Sequence, residues 1–129
     1  MPDTFTFTGR LRSIAVASRG ALLMLRSQHN AWIHAVATVA VVGLGLTFRV
    51  TAAQWSVLIL AMMAVWTAEA LNTALEFLAD VASPEFHPLV GKAKDVAAGA
   101  VLLSAIGAVI IGGLILGPHV LSLVRAALG

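Results

Sequence analysis

Three long apolar stretches dominate this sequence and limit what the chain can fold into. They run from Ala31 to Phe48, from Ala52 to Ala79 and from Val96 to Gly117. At a rise of about 1.5 Å per residue, each is long enough to cross a hydrocarbon core of about 30 Å as an α-helix. Hydrophobic residues make up 60% of the chain and charged residues 11%, which is far from the composition of a soluble domain. The sequence therefore predicts an integral membrane protein with three helical spans.

The segment before the first span has a different pattern. Residues 9–28 alternate apolar and polar positions with the period of a helix, and Arg12, Arg19 and Arg26 follow one another at seven-residue intervals. Such a helix is expected to lie in the membrane surface with its arginines toward anionic headgroups, where they either set the topology or contact substrate phosphates. We therefore predict an all-α fold in a single domain, residues 1–129, with three transmembrane helices preceded by an amphipathic interfacial helix.

The basic residues indicate the orientation of the chain in the membrane. Most of them lie before the first span or between the second and third, namely Arg10, Arg12, Arg19, Arg26, Lys92 and Lys94. By the positive-inside rule, the N-terminus and the loop before the third span are cytoplasmic, which predicts a multi-pass protein of the inner (cytoplasmic) membrane.

The chain has no cysteine, which excludes disulfides and thiolate metal sites. Its basic residues are not clustered as nucleic-acid binding requires.

Four polar residues interrupt the second apolar stretch. Glu69, Asn72, Glu76 and Asp80 fall within an arc of about 80° when they are placed on a helix. A carboxylate in hydrocarbon costs several kcal/mol unless it is paired, hydrated or bound to a cation. This stripe therefore predicts a hydrated cleft that opens toward the cytoplasm and holds a proton or a cation.

The spacing of these groups favours phosphoryl transfer. Glu69 lies about 10 Å deeper than Glu76 along the helix, which suits Glu69 to act as a general base and Glu76 to bind Mg²⁺. Asn72, between them, can orient a carboxylate or a hydroxyl. Lys94 at the start of the third helix can neutralise a phosphate, and Asp95 can hold a metal or cap that helix. Base, metal ligand and phosphate-pairing lysine together predict a site for phosphoryl transfer.

Two other interpretations of the same residues remain open at this point. In a small proton-coupled transporter subunit, Glu69 would bind a proton and a cation in turn. That interpretation does not explain why the stripe continues to Asp80, or why Lys94 and Asp95 follow. An inert scaffold would have to carry three unpaired acids in lipid.

The histidines His29 and His34 are interpreted as interfacial residues, and His87 as a polar loop residue.

The same residues carry a resemblance to a known family. The run from Glu69 to Asp80 has the form ExxNTAxExxxD, a short loop with Glu85 and His87 follows, and a Lys-Asp pair opens the last apolar stretch. This pattern resembles the prokaryotic diacylglycerol kinase and undecaprenol kinase family over nearly the whole chain. The resemblance implies a homotrimeric lipid kinase that uses ATP and Mg²⁺, with sites formed between subunits. The implied acceptor is diacylglycerol, with undecaprenol as the alternative.

The resemblance also implies roles for individual residues. Glu69 would be the catalytic base, Asn72 and Asp80 would support it, and Glu76 would bind the Mg²⁺ that bridges the ATP phosphates. The residues expected to contact nucleotide or phosphate are Glu85, His87, Lys94, Asp95 and Arg10. One position departs from the family pattern, because Gln28 stands where members commonly carry a second metal-binding glutamate. The amide oxygen of Gln28 is its expected contribution to the metal, with Asn30 or His34 as possible compensation.

Overall fold

Four helices make up the part of the chain that the structure, a computed structural model, describes, which is residues 6–129. They are α1 (Phe7–Ser27), α2 (His29–Thr47), α3 (Ala52–Ala82) and α4 (Pro88–Leu128). Helices α2, α3 and α4 are each long and apolar enough to cross a membrane, and α1 precedes them. The predicted all-α fold with three spans and a preceding helix is therefore confirmed. The predicted domain of residues 1–129 includes residues 1–5, which lie outside the described residues.

Two short breaks separate the first three helices. Between α1 and α2 the backbone is extended at Gln28 alone. Gln28 is the N-cap residue of α2, but its side chain makes no capping hydrogen bond and its amide reaches toward α3 instead. Between α2 and α3 the chain reverses over residues 48–51, and Arg49 has a φ of 51°, a conformation that L-residues adopt uncommonly. Thr51 and Gln54 then form a reciprocal capping box that starts α3. The reversal at residues 48–51 sets α2 antiparallel to α3.

Helix α4 begins earlier than the sequence indicated. Pro88 occupies its first turn, where the missing N–H costs nothing, and the Nδ1 atom of His87 accepts a hydrogen bond from the Leu89 N–H at 3.2 Å. The expectation that Lys94 and Asp95 open this helix was therefore wrong, and so was the alternative that Asp95 caps it. Both lie inside α4, about two turns from its start. The helix also continues through Pro118 to Leu128.

Helix α3 is the central element, since it packs against α1, α2 and α4. At the end of the bundle formed by residues 48–51, a small core of Val50, Leu58 and Leu116 joins the helices. Gly45 permits the close approach of α2 to α3 there, because a Cβ at this position would lie 2.7 Å from the Trp55 ring. The polar residues of α3 lie toward the opposite end, which the loop at residues 83–87 forms.

Candidate active site

The polar stripe of α3 becomes steadily less buried toward the 83–87 loop. Glu69 is 1% exposed and Asn72 is 8% exposed. Glu76 is half-buried, and the Asp80 side chain is 68% exposed. The four residues thus lie on one face of α3 as predicted, with a dry inner end at Glu69 and a wet outer end at Asp80. A polar substrate can therefore approach the stripe from the loop end without crossing hydrocarbon.

Two amide side chains hold the carboxylate of Glu76. Gln28 Nε2 donates to Oε2 at 2.8 Å, and Asn72 Nδ2 donates to Oε1 at 3.0 Å. Gln28 reaches Glu76 because the break between α1 and α2 points it at α3. Hydrogen bonds to a charged acceptor are among the stronger ones, so this trio fixes the orientation of the carboxylate. The structure places Gln28 beside Glu76, the neighbourhood that the family resemblance implied, whereas the role of the pair in binding a metal stays a prediction.

Glu69 has a different environment. Neither of its carboxylate oxygens has a hydrogen-bond partner, although both are buried. Thr73 donates to the backbone carbonyl of Glu69 at 2.8 Å and so does not reach the carboxylate. The nearest charged or chargeable group is His34 on α2, whose Nε2 atom lies 3.5 Å from Oε2. A buried acceptor without a donor is costly, and such groups are common where a site awaits its substrate.

A cavity of about 270 Å³ joins these groups. Its polar lining comes from α2 and α3 and from the break before α2, namely Gln28, Asn30, His34, Glu69, Asn72 and Glu76. Helix α4 contributes only apolar side chains, of which Ala98 and Ala105 are small and Val101 and Leu102 are larger. Because alanine fills little of the space opposite the carboxylates, the cavity persists between the helices. It is large enough for the reacting ends of two substrates but not for whole ones.

Lys94 on α4 forms an ion pair with Asp80, the outermost residue of the stripe. Its Nζ atom lies 3.1 Å from Asp80 Oδ1, and both side chains are substantially exposed. An ion pair of this exposure adds little stability, so its consequence is the placement of the ammonium group near the mouth of the cavity. Lys94 also precedes the cavity-lining Ala98 by one turn of α4. Asp95 is exposed beside it.

Three of the predicted site residues are not part of this cluster within one chain. Glu85 and His87 are exposed in the loop between α3 and α4, and the Nδ1 atom of His87 is engaged in capping α4. Arg10 lies near the start of α1, about 27 Å from Gln28 along that helix by its rise per residue. Their expected contacts with nucleotide or phosphate stay predictions.

The oxygen ligands in the cavity could hold a hard cation such as Mg²⁺ only if the substrate supplied further ligands. Among the described residues there is no group of three or more His, Asp, Glu or Cys side chains that could hold a metal ion. The oxygens at hand are those of Glu76, the buried and unpartnered Oδ1 of Asn72 and the amide oxygen of Gln28. Mg²⁺ commonly binds through one or two carboxylates and takes its other ligands from water and substrate phosphates. The residues therefore fit a metal that is completed by phosphates.

The sequence interpretation placed His34 at the membrane interface, or beside the metal as compensation for Gln28, and did not predict its contact with Glu69. In the structure His34 is largely buried, with Nε2 3.5 Å from Glu69 Oε2. A signal for this was present, since Asn30, His34 and Thr38 follow one another at four-residue intervals along α2. Such spacing puts three polar groups on one helix face. Trp66 on α3 also donates from Nε1 to Thr38 Oγ1 at 3.0 Å. The polar face of α2 is therefore matched to that of α3.

Comparison with known proteins agrees with this site. The family model for prokaryotic diacylglycerol kinase matches residues 15–116, which is most of the chain. The chain belongs to this family. The resemblance noted in the sequence is thus confirmed, and the matched span includes Gln28, His34, the whole stripe of α3 and the Lys94-Asp95 pair.

Several curated relatives belong to the same group. An undecaprenol kinase of Bacillus subtilis is 36% identical over 107 residues, which cover 83% of this chain and 87% of the relative. A diacylglycerol kinase of Synechocystis is 42% identical over 114 residues, 88% of this chain but 65% of the relative. A diacylglycerol kinase of Escherichia coli K12 is 42% identical over 62 residues, about half of each protein. These relatives are all named as lipid kinases.

Proposed function

We propose that the protein is an ATP- and Mg²⁺-dependent lipid kinase that phosphorylates the hydroxyl of diacylglycerol to form phosphatidic acid. The observation that carries the proposal is the pairing of two unlike carboxylates in one cavity. Glu69 is buried with both oxygens unpartnered, and Glu76 is held by two amides nearer to the loop. Family membership supports the reaction class, and the three apolar helices support a substrate that arrives within the membrane.

The proposed roles of Glu69 and Lys94 follow from how deeply each lies in the bundle. A lipid hydroxyl enters from the hydrocarbon side and meets Glu69, while ATP enters from the 83–87 end and meets Lys94. Glu69 accepts the hydroxyl proton as the lipid oxygen forms its bond to the γ-phosphorus. The bond from that phosphorus to the bridging oxygen breaks, and ADP leaves with the electron pair. Lys94, oriented by Asp80, faces the developing phosphate charge. Asp95, Glu85 and His87 are proposed to contact the nucleotide.

The metal site is proposed to consist of Glu76 with the amide oxygens of Gln28 and Asn72. Both amides now donate through nitrogen, and each would have to rotate to offer its oxygen. When bound, Mg²⁺ neutralises phosphate charge and orients the γ-phosphate for in-line transfer. Gln28 in place of a carboxylate leaves Glu76 as the one anionic ligand among the three.

Undecaprenol is the second candidate acceptor. The Bacillus relative that is named undecaprenol kinase matches over most of both proteins, whereas the Synechocystis diacylglycerol kinase extends well beyond the match. Both acceptors present a primary hydroxyl at the end of an apolar body. Either would therefore place the reacting oxygen at the same depth as Glu69.

An assay with each acceptor tests the proposal. The purified protein in mixed micelles is given ATP labelled at the γ-phosphate, Mg²⁺ and either diacylglycerol or undecaprenol, and labelled lipid is separated by chromatography. We expect labelled phosphatidic acid. Label in undecaprenyl phosphate alone would move the assignment to the second candidate. No labelled lipid with either acceptor, together with proton-coupled flux in vesicles, would replace the kinase by a transporter.

We further propose a homotrimer in the cytoplasmic membrane, with the N-terminus and the cavity mouth in the cytoplasm. Apolar side chains such as Val36, Val39, Leu103 and Val109 are exposed along α2 and α4, and in a membrane they would face lipid or a neighbouring copy. Arg10 is remote from Gln28 in its own chain, so its contribution to a site would be made to a neighbouring subunit. Chemical cross-linking in native membranes tests the number of subunits.

Replacing Gln28 by glutamate is expected to tighten the dependence on Mg²⁺. The new carboxylate would stand beside Glu76, where two negative charges favour a divalent cation strongly. We expect the Mg²⁺ concentration for half-maximal activity to fall by about tenfold, with melting temperature rising on Mg²⁺ addition more than in the wild type. Gln54→Glu is the matched control, since Gln54 caps α3 at the opposite end. An unchanged or weaker Mg²⁺ dependence would contradict the placement of Gln28 at the metal.

A further inference from the structure

A series of side-chain contacts connects α2 to α3 and leads to a histidine without an assigned role. At the loop end Gln28 bonds to Glu76, and at the inner end Thr38 accepts from Trp66. His34 and Glu69 face each other between these two contacts, with 3.5 Å from Nε2 to Oε2. The contacts follow the antiparallel course of the helices, since residue numbers rise along α2 as they fall along α3. His34 and Glu69 are therefore brought together by the packing of two helices and not by a chance rotamer.

The other potential donors near Glu69 are engaged elsewhere. The amide groups of Gln28 and Asn72 both donate to Glu76, and the hydroxyl of Thr73 donates to the Glu69 backbone carbonyl. Asn30, which also lines the cavity, is exposed at its edge. The α4 lining has no polar hydrogen-bonding side chain. His34 Nε2 is itself buried and has no hydrogen-bond partner. Two buried polar atoms without hydrogen-bond partners, His34 Nε2 and Glu69 Oε2, thus face each other at 3.5 Å, slightly beyond the usual hydrogen-bond length.

The ring of His34 has a second contact with α3, at Trp66, which lies three residues before Glu69 on that helix. Trp66 contacts it edge-on, with ring centroids 6.2 Å apart and an interplanar angle of 74°. Trp66 is in turn fixed by its bond to Thr38, one turn along α2 from His34. The imidazole is therefore restrained in direction, and a movement of a few tenths of an ångström would close the bond to Glu69. A restrained donor of this kind suits the orientation of a catalytic base.

We propose that His34 is a positioning residue for the Glu69 base: its Nε2–H donates to Glu69 Oε2 and leaves Oε1 to accept the proton of the lipid hydroxyl. This role rests on the proposed kinase function. It assigns the two carboxylate oxygens different tasks, since one is held by the protein and the other meets the substrate. A base held in this way avoids the loss of rate that follows from a misdirected carboxylate.

Two substitutions separate hydrogen bonding from packing. His34→Gln keeps an amide N–H near the position of Nε2, whereas His34→Met keeps a similar volume without a donor. We expect His34→Met to lower kcat by about 10- to 100-fold, the loss typical of a hydrogen bond to a charged group, with the KM for ATP and the Mg²⁺ requirement unchanged. His34→Gln should restore kcat to within about threefold of the wild type. His119→Gln and His119→Met, at the opposite end where His119 stacks on Phe48, are the matched controls.

The proposal is overturned if His34→Met keeps its kcat, or if both His34 variants are equally impaired. A second measurement does not depend on turnover. In protein labelled with ¹⁵N-histidine, the Nε2 signal of His34, assigned by its loss in His34→Gln, should shift in Glu69→Leu while the His119 signals stay in place. An unmoved His34 signal would contradict the pairing even in a folded protein. If the wild type phosphorylates no lipid, the kinase proposal fails, whereas the contact between His34 and Glu69 is still decided by this spectrum.

Discussion

Glu69→Gln is expected to reduce lipid phosphorylation by at least about 10²-fold, because a neutral amide cannot accept the hydroxyl proton and general-base catalysis contributes about 10²- to 10⁴-fold. The loss should appear in kcat. Nucleotide binding should be retained, since Glu69 lies at the inner end of the stripe, away from Lys94 and Asp80. The measurement is steady-state turnover in mixed micelles, together with equilibrium binding of a non-hydrolysable ATP analogue.

The binding measurement serves as the control for folding. Glutamine is close in size to glutamate and adds no volume to the cavity, and helix α3 keeps its other contacts. Turnover that stays near the wild-type level in Glu69→Gln would remove Glu69 as the base. A parallel loss of analogue binding would instead assign Glu69 to the nucleotide, in conflict with its depth.

Glu76→Gln has the second large expected effect, which is on the metal requirement. It removes the one carboxylate of the proposed Mg²⁺ site, so we expect the Mg²⁺ concentration for half-maximal activity to rise by about tenfold or more. The substitution also replaces a charged acceptor of two amide donors by a neutral group that has one acceptor oxygen. A Mg²⁺ titration of lipid phosphorylation measures the effect.

A comparison with Gln28→Glu tests the direction in which the Mg²⁺ requirement shifts. Removing a negative charge at Glu76 and adding one at Gln28 should move the Mg²⁺ requirement in opposite senses, because the two side chains are 2.8 Å apart and would share one ion. Shifts of the same sign in both variants would mean that general damage, and not metal affinity, controls the titration. An unaltered titration in Glu76→Gln would place the metal elsewhere.

Much of the site was predictable because helical periodicity relates residues that are close in sequence. Glu69, Asn72, Glu76 and Asp80 lie on one helix, so their common face and their order of depth follow from the rise and rotation per residue. The contact between Gln28 and Glu76 required the family resemblance, since those residues are far apart in the sequence. The start of α4 was misplaced because the apolar stretch marks the part that can lie in lipid, whereas the helix begins at a proline and its histidine cap.

The contact of His34 with Glu69 joins two helices and could not be predicted from the pattern of either helix alone. The position of His34 near the beginning of an apolar stretch suggested the membrane interface. The four-residue spacing of Asn30, His34 and Thr38 indicates a polar face of α2, but it does not tell which helix covers that face. The outcome depends on which face of α2 meets α3. The contacts of Thr38 with Trp66 and of Gln28 with Glu76 determine that face.

The sequence by itself determined the three span-length helices, the helix that precedes them, the acidic stripe and the family, because hydrophobicity and helical period act locally and leave a direct record in the residues. Only the tertiary structure decided that Gln28 joins Asn72 in holding Glu76, that the Glu69 carboxylate is buried without a donor, and that His34 is the group that faces it. Those features arise where separate helices meet. Their register is set by the packing of many side chains together, which no single segment of the chain specifies.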